Sequence, residues 1–210
     1  MAHDLIFYTN PMSRGQIVRW MLEEVGQPYQ TQIMDYASSM KGPDYLAINP
    51  MGKVPAIKHG DTVVTECAAI CAYLADAFPD AGLAPPVHSK ARGPYYRWLF
   101  FAAGPVESAV TNKALGFVVP EGREMMAGYG SFEQAIDALE GAVSEVEYLA
   151  GGRFSAADVY LGSQILWGMQ FGSIEKRPSF EAYAARLSAR PAYIKAKEID
   201  MALIAEAQKA

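Results

Sequence analysis

Cysteine, histidine and net charge are all scarce in this 210-residue chain, and each scarcity removes a class of chemistry. Only two cysteines occur, Cys67 and Cys71, four apart on one expected helix, where they share a face without suiting a disulfide. No Cys-x-x-Cys pair offers dithiol exchange. His3, His59 and His88 are too scattered to form a zinc spacing, so no metal is expected. This usage suits a reducing, cytoplasmic compartment. Excess positive charge is lacking as well: 18 basic against 23 acidic residues leaves −5, which gives nucleic acid no general electrostatic footing. Long hydrophobic runs are also missing. The longest uncharged stretch, Val159 to Ile174, is broken by Gly162, Ser163, Gln164, Gly168, Gln170, Gly172 and Ser173, and reads as a buried helix and its exit rather than a membrane span. Met1-Ala2-His3-Asp4 runs straight into a strand pattern without a charged and then apolar leader, so secretion is not signalled.

Half of the residues are hydrophobic, and the length allows one large or two small domains with a substantial core. Leu5 to Thr9 reads as an apolar strand. Gln16 to Val25 reads as a helix with Ile17, Val18, Met21, Leu22 and Val25 at helical spacing, stopped by Gly26. Gln30 to Met34 is a second strand, and Gly42-Pro43 and Asn49-Pro50 punctuate a long connection. A hairpin pattern follows, Val54 to His59 and Thr62 to Thr65 about Gly60-Asp61, and then the apolar helical run of Ala68, Ala69, Ile70, Tyr73 and Leu74. These elements predict a small mixed sheet with helices on its faces over residues 1–80. Turn residues mark a linker over 81–89, and everything from 90 to 210 is helical in pattern. Lys90 to Asn112 is long and aromatic, with Gly104-Pro105 predicted to kink or break it. Ser131 to Leu149 is a second core-facing helix. Ser155-Ala-Ala-Asp158 is a capping-box pattern with Asp in place of Glu or Gln, and is read as structural.

The most informative local feature is Val54-Pro55 followed by Thr65-Glu66-Cys67. A proline in a strand-like run has no N–H for a ladder, so its position suggests an edge. There, the Val54 N–H and C=O could pair with an extended peptide. Glu66-Cys67 opens a helix, whose first N–H groups and positive dipole end favour a carboxylate, while the Glu66 carboxylate suits an ammonium group. An α-amino acid carries both. The competing reading is that Thr65 or Glu66 merely caps the helix.

Four stretches together resemble the cytosolic glutathione S-transferases, in particular bacterial members: Leu5-Ile6-Phe7-Tyr8, Ser13-Arg14-Gly15, Asn49-Pro50-Met51-Gly52-Lys53-Val54-Pro55-Ala56, and Thr65-Glu66-Cys67-Ala68-Ala69-Ile70. The resemblance continues over almost the whole chain, including the Ser155-x-x-Asp158 cap. It implies a thioredoxin-like, glutathione-binding domain with a mixed four-stranded sheet, then an all-helical domain carrying the electrophile site. It further implies a cytoplasmic homodimer active in detoxification, with glutathione as co-substrate and no other cofactor, and with no nucleic-acid or membrane partner. One departure stands out: most members have Ser where Cys67 stands. The backbone N–H is kept, but the thiol is a weaker donor to the glutamyl carboxylate.

Such chemistry needs a thiolate. An unperturbed cysteine thiol, with pKa about 8.5, is only a few per cent ionised near neutrality, and lowering it by about two units takes roughly 2.7 kcal/mol. Hydrogen-bond donors and a helix start can supply that without a protein base. Two hydroxyls compete for the donor role, Ser13 before the first helix and Tyr8 at the end of the first strand, where Ser-using and Tyr-using members respectively place theirs. Ser13 is preferred, because the N–H groups after it could act with it. Arg14 and Lys53 are secondary candidates for the glycyl carboxylate, with Lys53 better supported by the resemblance. Tyr96, Phe100, Asn112 and Phe117 are the candidate electrophile residues; Tyr95, Trp98 and Phe101 share the aromatic segment, Thr111 and Trp167 are further cleft candidates, and core or subunit packing is the alternative for most of the rings. A glutathione-dependent isomerase, dehalogenase or peroxidase on the same scaffold, or a non-catalytic interaction module, are the competing functions.

Overall fold

In the computed structural model, which describes residues 4–209, alternation along the first apolar run sets β1 (Leu5–Thr9). Leu5, Phe7 and Thr9 are buried on one face, while Ile6 and Tyr8 turn to the other and are half-buried. Of the residues singled out above, Met1, Ala2 and His3 lie outside the described part. The helix α1 (Gly15–Val25) buries the five apolar positions read from its spacing, and Gly26 ends it in the left-handed conformation at φ 71°. β2 (Gln30–Ile33) then pairs parallel to β1, completing a strand–helix–strand crossover. The punctuated connection is more ordered than its composition suggests. It contains a 3-10 turn at Ser39–Lys41 and a one-turn helix, α2 (Pro43–Leu46), opened by Pro43 where a missing N–H is harmless.

β3 (Ala56–His59) runs antiparallel to β1, and β4 (Thr62–Thr65) runs antiparallel to β3, giving a four-stranded sheet of order β2-β1-β3-β4. This corrects the expectation that Val54-Pro55 marks a sheet edge. β3 is an interior strand bonded on both sides, and it begins only at Ala56. A proline cannot donate to either ladder, so the pair sits just before the strand instead of within it. α3 (Cys67–Ala77) follows β4 and packs against α1.

Two compact units emerge within the described residues, one from the chain up to Leu83 together with the chain from Ala189 onward, the other Ala84–Ser188. The second unit is helical. α4 (Arg92–Phe101) passes without a break through a π-helical turn, Ala102–Val106, into α5 (Glu107–Ala114). Pro105 lies inside that turn, so the kink or break expected at Gly104-Pro105 takes the form of a locally widened helix. α6 (Phe132–Ser144) starts from a Ser131/Gln134 capping box and stops short of the expected Leu149. Leu149 is buried all the same, its N–H donating to the Asp158 carboxylate. α7 (Ala156–Phe171) is the buried helix, and α8 (Pro178–Ser188) packs against it. Asp158 accepts the Ser155 N–H and hydroxyl at 2.9 Å each and the Tyr183 hydroxyl at 2.7 Å, so the Ser-x-x-Asp cap also anchors α8.

The last helix differs from the 90–210 assignment. α9 (Pro191–Ala207) belongs to the first unit, where it packs against α1. Arg19 explains the attachment. Its side chain is buried over the faces of Phe7 and Tyr29, donates to Thr31 and Tyr29, and pairs with buried Asp200 at 3.2 Å. Burial pushes the Tyr29 hydroxyl up to about 12, so it remains a donor to Glu23. Arg190 to Glu24 and Lys197 to Gln16 add further bonds along the same helix pair. No helix among the described residues is long and apolar enough to cross a membrane.

Candidate active site

The topology assembles the candidate residues. β1 ends at Thr9, β3 starts at Ala56 and β4 ends at Thr65, and the pairings Tyr8 with Ala56 and Ala56 with Thr65 lay these ends side by side. Tyr8, Val54-Pro55 and Glu66-Cys67 therefore meet at one end of the sheet, although they are remote in sequence.

The Val54-Pro55 peptide is cis, and the loop before it is pinned at several points. The Lys53 carbonyl accepts from the Tyr45 hydroxyl at 2.6 Å and from Asn49 Nδ2 at 2.8 Å. Asn49 Oδ1 accepts the Met51 N–H, and Lys41 Nζ donates to the Gly52 carbonyl at 2.6 Å. Gly52 has φ 56°, a conformation that favours glycine. Burial pushes the Tyr45 hydroxyl up to about 12, so it stays protonated and donating. Val54 and Tyr8 both pack on the cluster of Met34, Met40, Tyr45 and Ala56, with the Tyr8 and Tyr45 rings 5.6 Å apart. The Lys53 side chain is exposed.

Glu66 is the one described non-glycine residue with positive φ, at φ 67° and ψ 118°, and its side chain is exposed. It directly precedes α3, whose first helical bond runs from the Ile70 N–H to the Glu66 carbonyl. The amides before Ile70 thus belong to the turn that a helix's own ladder leaves unused. The buried Cys67 sulfur lies 3.7 Å from the Arg14 carbonyl, as a weak donor to it. That contact commits the thiol to the loop before α1 and brings Ser13-Arg14-Gly15 to the start of α3. One turn further on, burial pushes the Cys71 thiol well above its ordinary range, which keeps it unreactive.

Ser13, half-buried, donates its hydroxyl to the Asn10 carbonyl at 2.6 Å and accepts the Gly15 N–H at 2.9 Å. Asn10 in turn bonds the Met34 carbonyl and the Met12 N–H, which locks this loop to the end of β2. Arg14 is exposed. Beside the loop opens a cavity of about 660 Å³, walled by Pro11, Met12, Ile33, Tyr36, Leu203 and Ile204. Of its polar neighbours Asn10, Asp35 and Ser39 are engaged with backbone N–H groups, while Glu206 and Gln208 stand at its α9 side, so the lining is mainly apolar with a polar margin on α9.

In the helical unit, Tyr96 and Phe100 are exposed on α4 while Tyr95 and Trp98 are core. Asn112 donates to the Tyr129 hydroxyl and shares with Phe117 and Tyr129 a cavity of about 580 Å³. The structure thus brings Asn112 and Phe117 together and leaves Tyr96 and Phe100 outside that cavity. Sequence reasoning missed Tyr45 and Asn49 as supports of the clamp. Asn49-Pro50 served only as punctuation and resemblance, and nothing local marks Tyr45 as a donor to a residue eight positions on. Among the described residues no group of three or more His, Cys, Asp or Glu could hold a metal ion.

Comparison with known proteins agrees with this fold. The profile of the glutathione S-transferase N-terminal domain matches residues 12–77 and that of the C-terminal domain matches residues 120–191. Glutathione S-transferase GstA of Escherichia coli O157:H7 is 30% identical over 192 residues, covering 90% of this chain and 92% of that protein. The crystal structure of a glutathione transferase from Methylococcus capsulatus superposes with TM-score 0.77 at 29% identity, over 93% of this chain and 98% of the other. A sphingomonad glutathione S-transferase, complexed with glutathione, gives 0.75 at 27% identity over the same shares. With the four-stranded mixed sheet, the helical second unit and the pinned Val54-Pro55 and Glu66-Cys67 elements, the chain belongs to the glutathione S-transferase family.

Proposed function

We propose that the chain binds glutathione across the end of its sheet, holds its sulfur as a thiolate and transfers it to small apolar electrophiles. The observation that carries this reading is the convergence of three groups at that end: the Val54 backbone presented by a pinned loop, Glu66 at the start of α3, and a hydroxyl at the start of α1. The Val54 N–H and C=O pair with the peptide, Glu66 takes the γ-glutamyl ammonium, and the first turn of α3 takes its carboxylate. Lys53 and Arg14 face the glycyl carboxylate. A relative solved with glutathione bound supports this choice of ligand.

In the reaction the bound thiol gives up its proton to solvent, the Ser13 hydroxyl and the start of α1 stabilise the sulfur anion, and the thiolate attacks an electrophilic carbon as a leaving group departs or an added proton completes the product. Lowering the thiol pKa by about two units, roughly 2.7 kcal/mol, makes most of it reactive at neutral pH. Ser13 is the donor in this reading because its oxygen is already polarised by the Gly15 N–H, whereas the Tyr8 ring is packed on Tyr45. The electrophile occupies the apolar cavity beside Met12 and Tyr36, and the Asn112/Phe117 cavity is the second candidate. The protein works as a cytoplasmic homodimer with no cofactor besides its co-substrate.

Calorimetric titration with glutathione, together with ultraviolet absorbance of the bound thiolate against pH, tests the reading on wild type, Ser13→Ala and Tyr8→Phe. Wild type binds and depresses the thiol pKa, and Ser13→Ala loses the depression while keeping affinity. Loss in Tyr8→Phe alone transfers the donor role to Tyr8. Absence of binding in wild type overturns the transferase reading altogether.

A further inference from the structure

We infer that Gly15, seated against Thr9, is a positioning residue for the Ser13 hydroxyl, an inference that rests on the proposed thiolate-donor role of Ser13. The glycine is not there for its backbone torsion. Gly15 is absent from the positive-φ glycines, unlike Gly26 and Gly52, and as the first residue of α1 it takes a conformation open to any L-residue. The requirement is one of space. A Cβ built on Gly15 falls inside van der Waals contact with Thr9 Oγ1, lies 3.1 Å from Thr9 Cβ, and lies 3.0 Å from the Ser13 oxygen itself. Turning the Thr9 hydroxyl aside gives up its bond to the Asn10 carbonyl and still leaves Thr9 Cβ at 3.1 Å, and the strand itself is held, fully buried, by the sheet ladder and by its carbonyl accepting the Met34 N–H. The absence of a side chain at 15 therefore lets the start of α1 close onto the end of β1.

That closure sets the chemistry of Ser13. The Gly15 N–H reaches Ser13 Oγ at 2.9 Å, while the hydroxyl proton rests on the Asn10 carbonyl at 2.6 Å. Donation into the oxygen polarises its O–H, making it a better donor to an anion. When a thiolate arrives, a charge-assisted bond roughly twice as strong as a neutral one draws the proton off Asn10. The Gly15 N–H stays on the oxygen throughout, so only the proton turns. A side chain at 15 pushes α1 away from Thr9, lengthens the N–H to Oγ bond and leaves Ser13 an ordinary hydroxyl on Asn10.

The test is the pKa of bound glutathione thiol, read by ultraviolet absorbance, in Gly15→Ala, Thr9→Ala/Gly15→Ala, Ser13→Ala and Ser13→Ala/Gly15→Ala. Gly15→Ala raises it by about one unit, which from a starting pKa of about 6.5 is about threefold less thiolate at pH 7, with glutathione affinity little changed. Thr9→Ala/Gly15→Ala, in which the closest clashing atom is gone, recovers at least half of the shift. In the Ser13→Ala background the Gly15→Ala change moves nothing further, which a merely structural role does not predict. If Ser13→Ala shifts the pKa but folded Gly15→Ala does not, or shifts it equally in both backgrounds, the inference is overturned while the donor role stands. If Ser13→Ala itself shifts nothing, the donor role falls, and this inference with it. Should neither alanine variant at 15 fold, Thr9→Val carries the test: its methyl presses on the same glycine and raises the thiol pKa, and an unchanged value overturns the proposal.

Discussion

At the residue scale Glu66 shows stability and function in opposition. Its φ of 67° at ψ 118° is a conformation an L-residue holds only under constraint from its surroundings, at a cost on the order of 1–3 kcal/mol. The exposed side chain makes no packing contribution that offsets this cost, and a residue selected for folding alone would be glycine. What a glycine lacks is the carboxylate beside the first turn of α3. Two substitutions therefore separate the terms. Glu66→Gly relieves the backbone and raises unfolding free energy by about 1 kcal/mol in urea denaturation. Glu66→Gln leaves stability near wild type. Both weaken glutathione binding in calorimetry by about tenfold or more, the loss of one charge-assisted bond. Unchanged affinity in Glu66→Gln would remove the ammonium contact from the site, and, as the Glu66 side chain makes no capping bond to α3, would leave the residue a backbone role alone.

At the element scale, what could be read from the sequence follows the range of the interactions involved. β1 and α1 were legible because their burial patterns are periodic within one segment, and the Ser155-x-x-Asp158 cap because its partners are three residues apart. The ends of the clamp and the anchor were legible as motifs, but the pinning of Lys53 by Tyr45 was not, since α2 is a single turn with too few residues for a pattern. The sequence marks the π turn at Ala102–Val106 only as a kink or break at Gly104-Pro105, because a proline states which bond is missing and not how the helix compensates. The cap itself does more than its pattern implied: through its two carboxylate oxygens Asp158 joins Ser155, the Leu149 N–H and the Tyr183 hydroxyl, tying α7 to α8 and to the chain after α6. Asp158→Asn places an NH₂ group among these donors, losing at least one acceptor in a buried site. We expect a destabilisation of about 3 kcal/mol or more in urea, with an unchanged dependence on denaturant. A loss under 1 kcal/mol would mean that the donors find other partners.

At the scale of the whole molecule the chain does not divide as its pattern does. A cut in the turn-rich segment near residue 83 looks natural from composition, yet the first unit is discontinuous and is completed by α9 at the other end of the chain. The tie is a buried ion pair between residues 181 positions apart, which no local pattern reveals: Arg19 and Asp200 are both almost wholly excluded from solvent. A buried pair adds little net stability over an apolar substitute, but removing one partner leaves an uncompensated charge, at about 3–5 kcal/mol. Against a typical total of about 5–15 kcal/mol, that is a large share. Ending the chain after Ser188 removes Asp200 from Arg19, Arg190 from Glu24 and the Tyr193 ring from Trp20, all in one step. Such a truncated protein is expected to expose residues 4–83 to limited proteolysis and to lose glutathione binding, although every residue proposed to contact glutathione is still present. Asp200→Asn, which keeps α9 but removes its charge, is expected to fall between truncated and wild-type protein in melting temperature. If the truncated chain melts and binds glutathione as wild type does, the first unit is autonomous and α9 only covers it. If it fails while Asp200→Asn binds normally, the helix is required as packing and the ion pair is secondary.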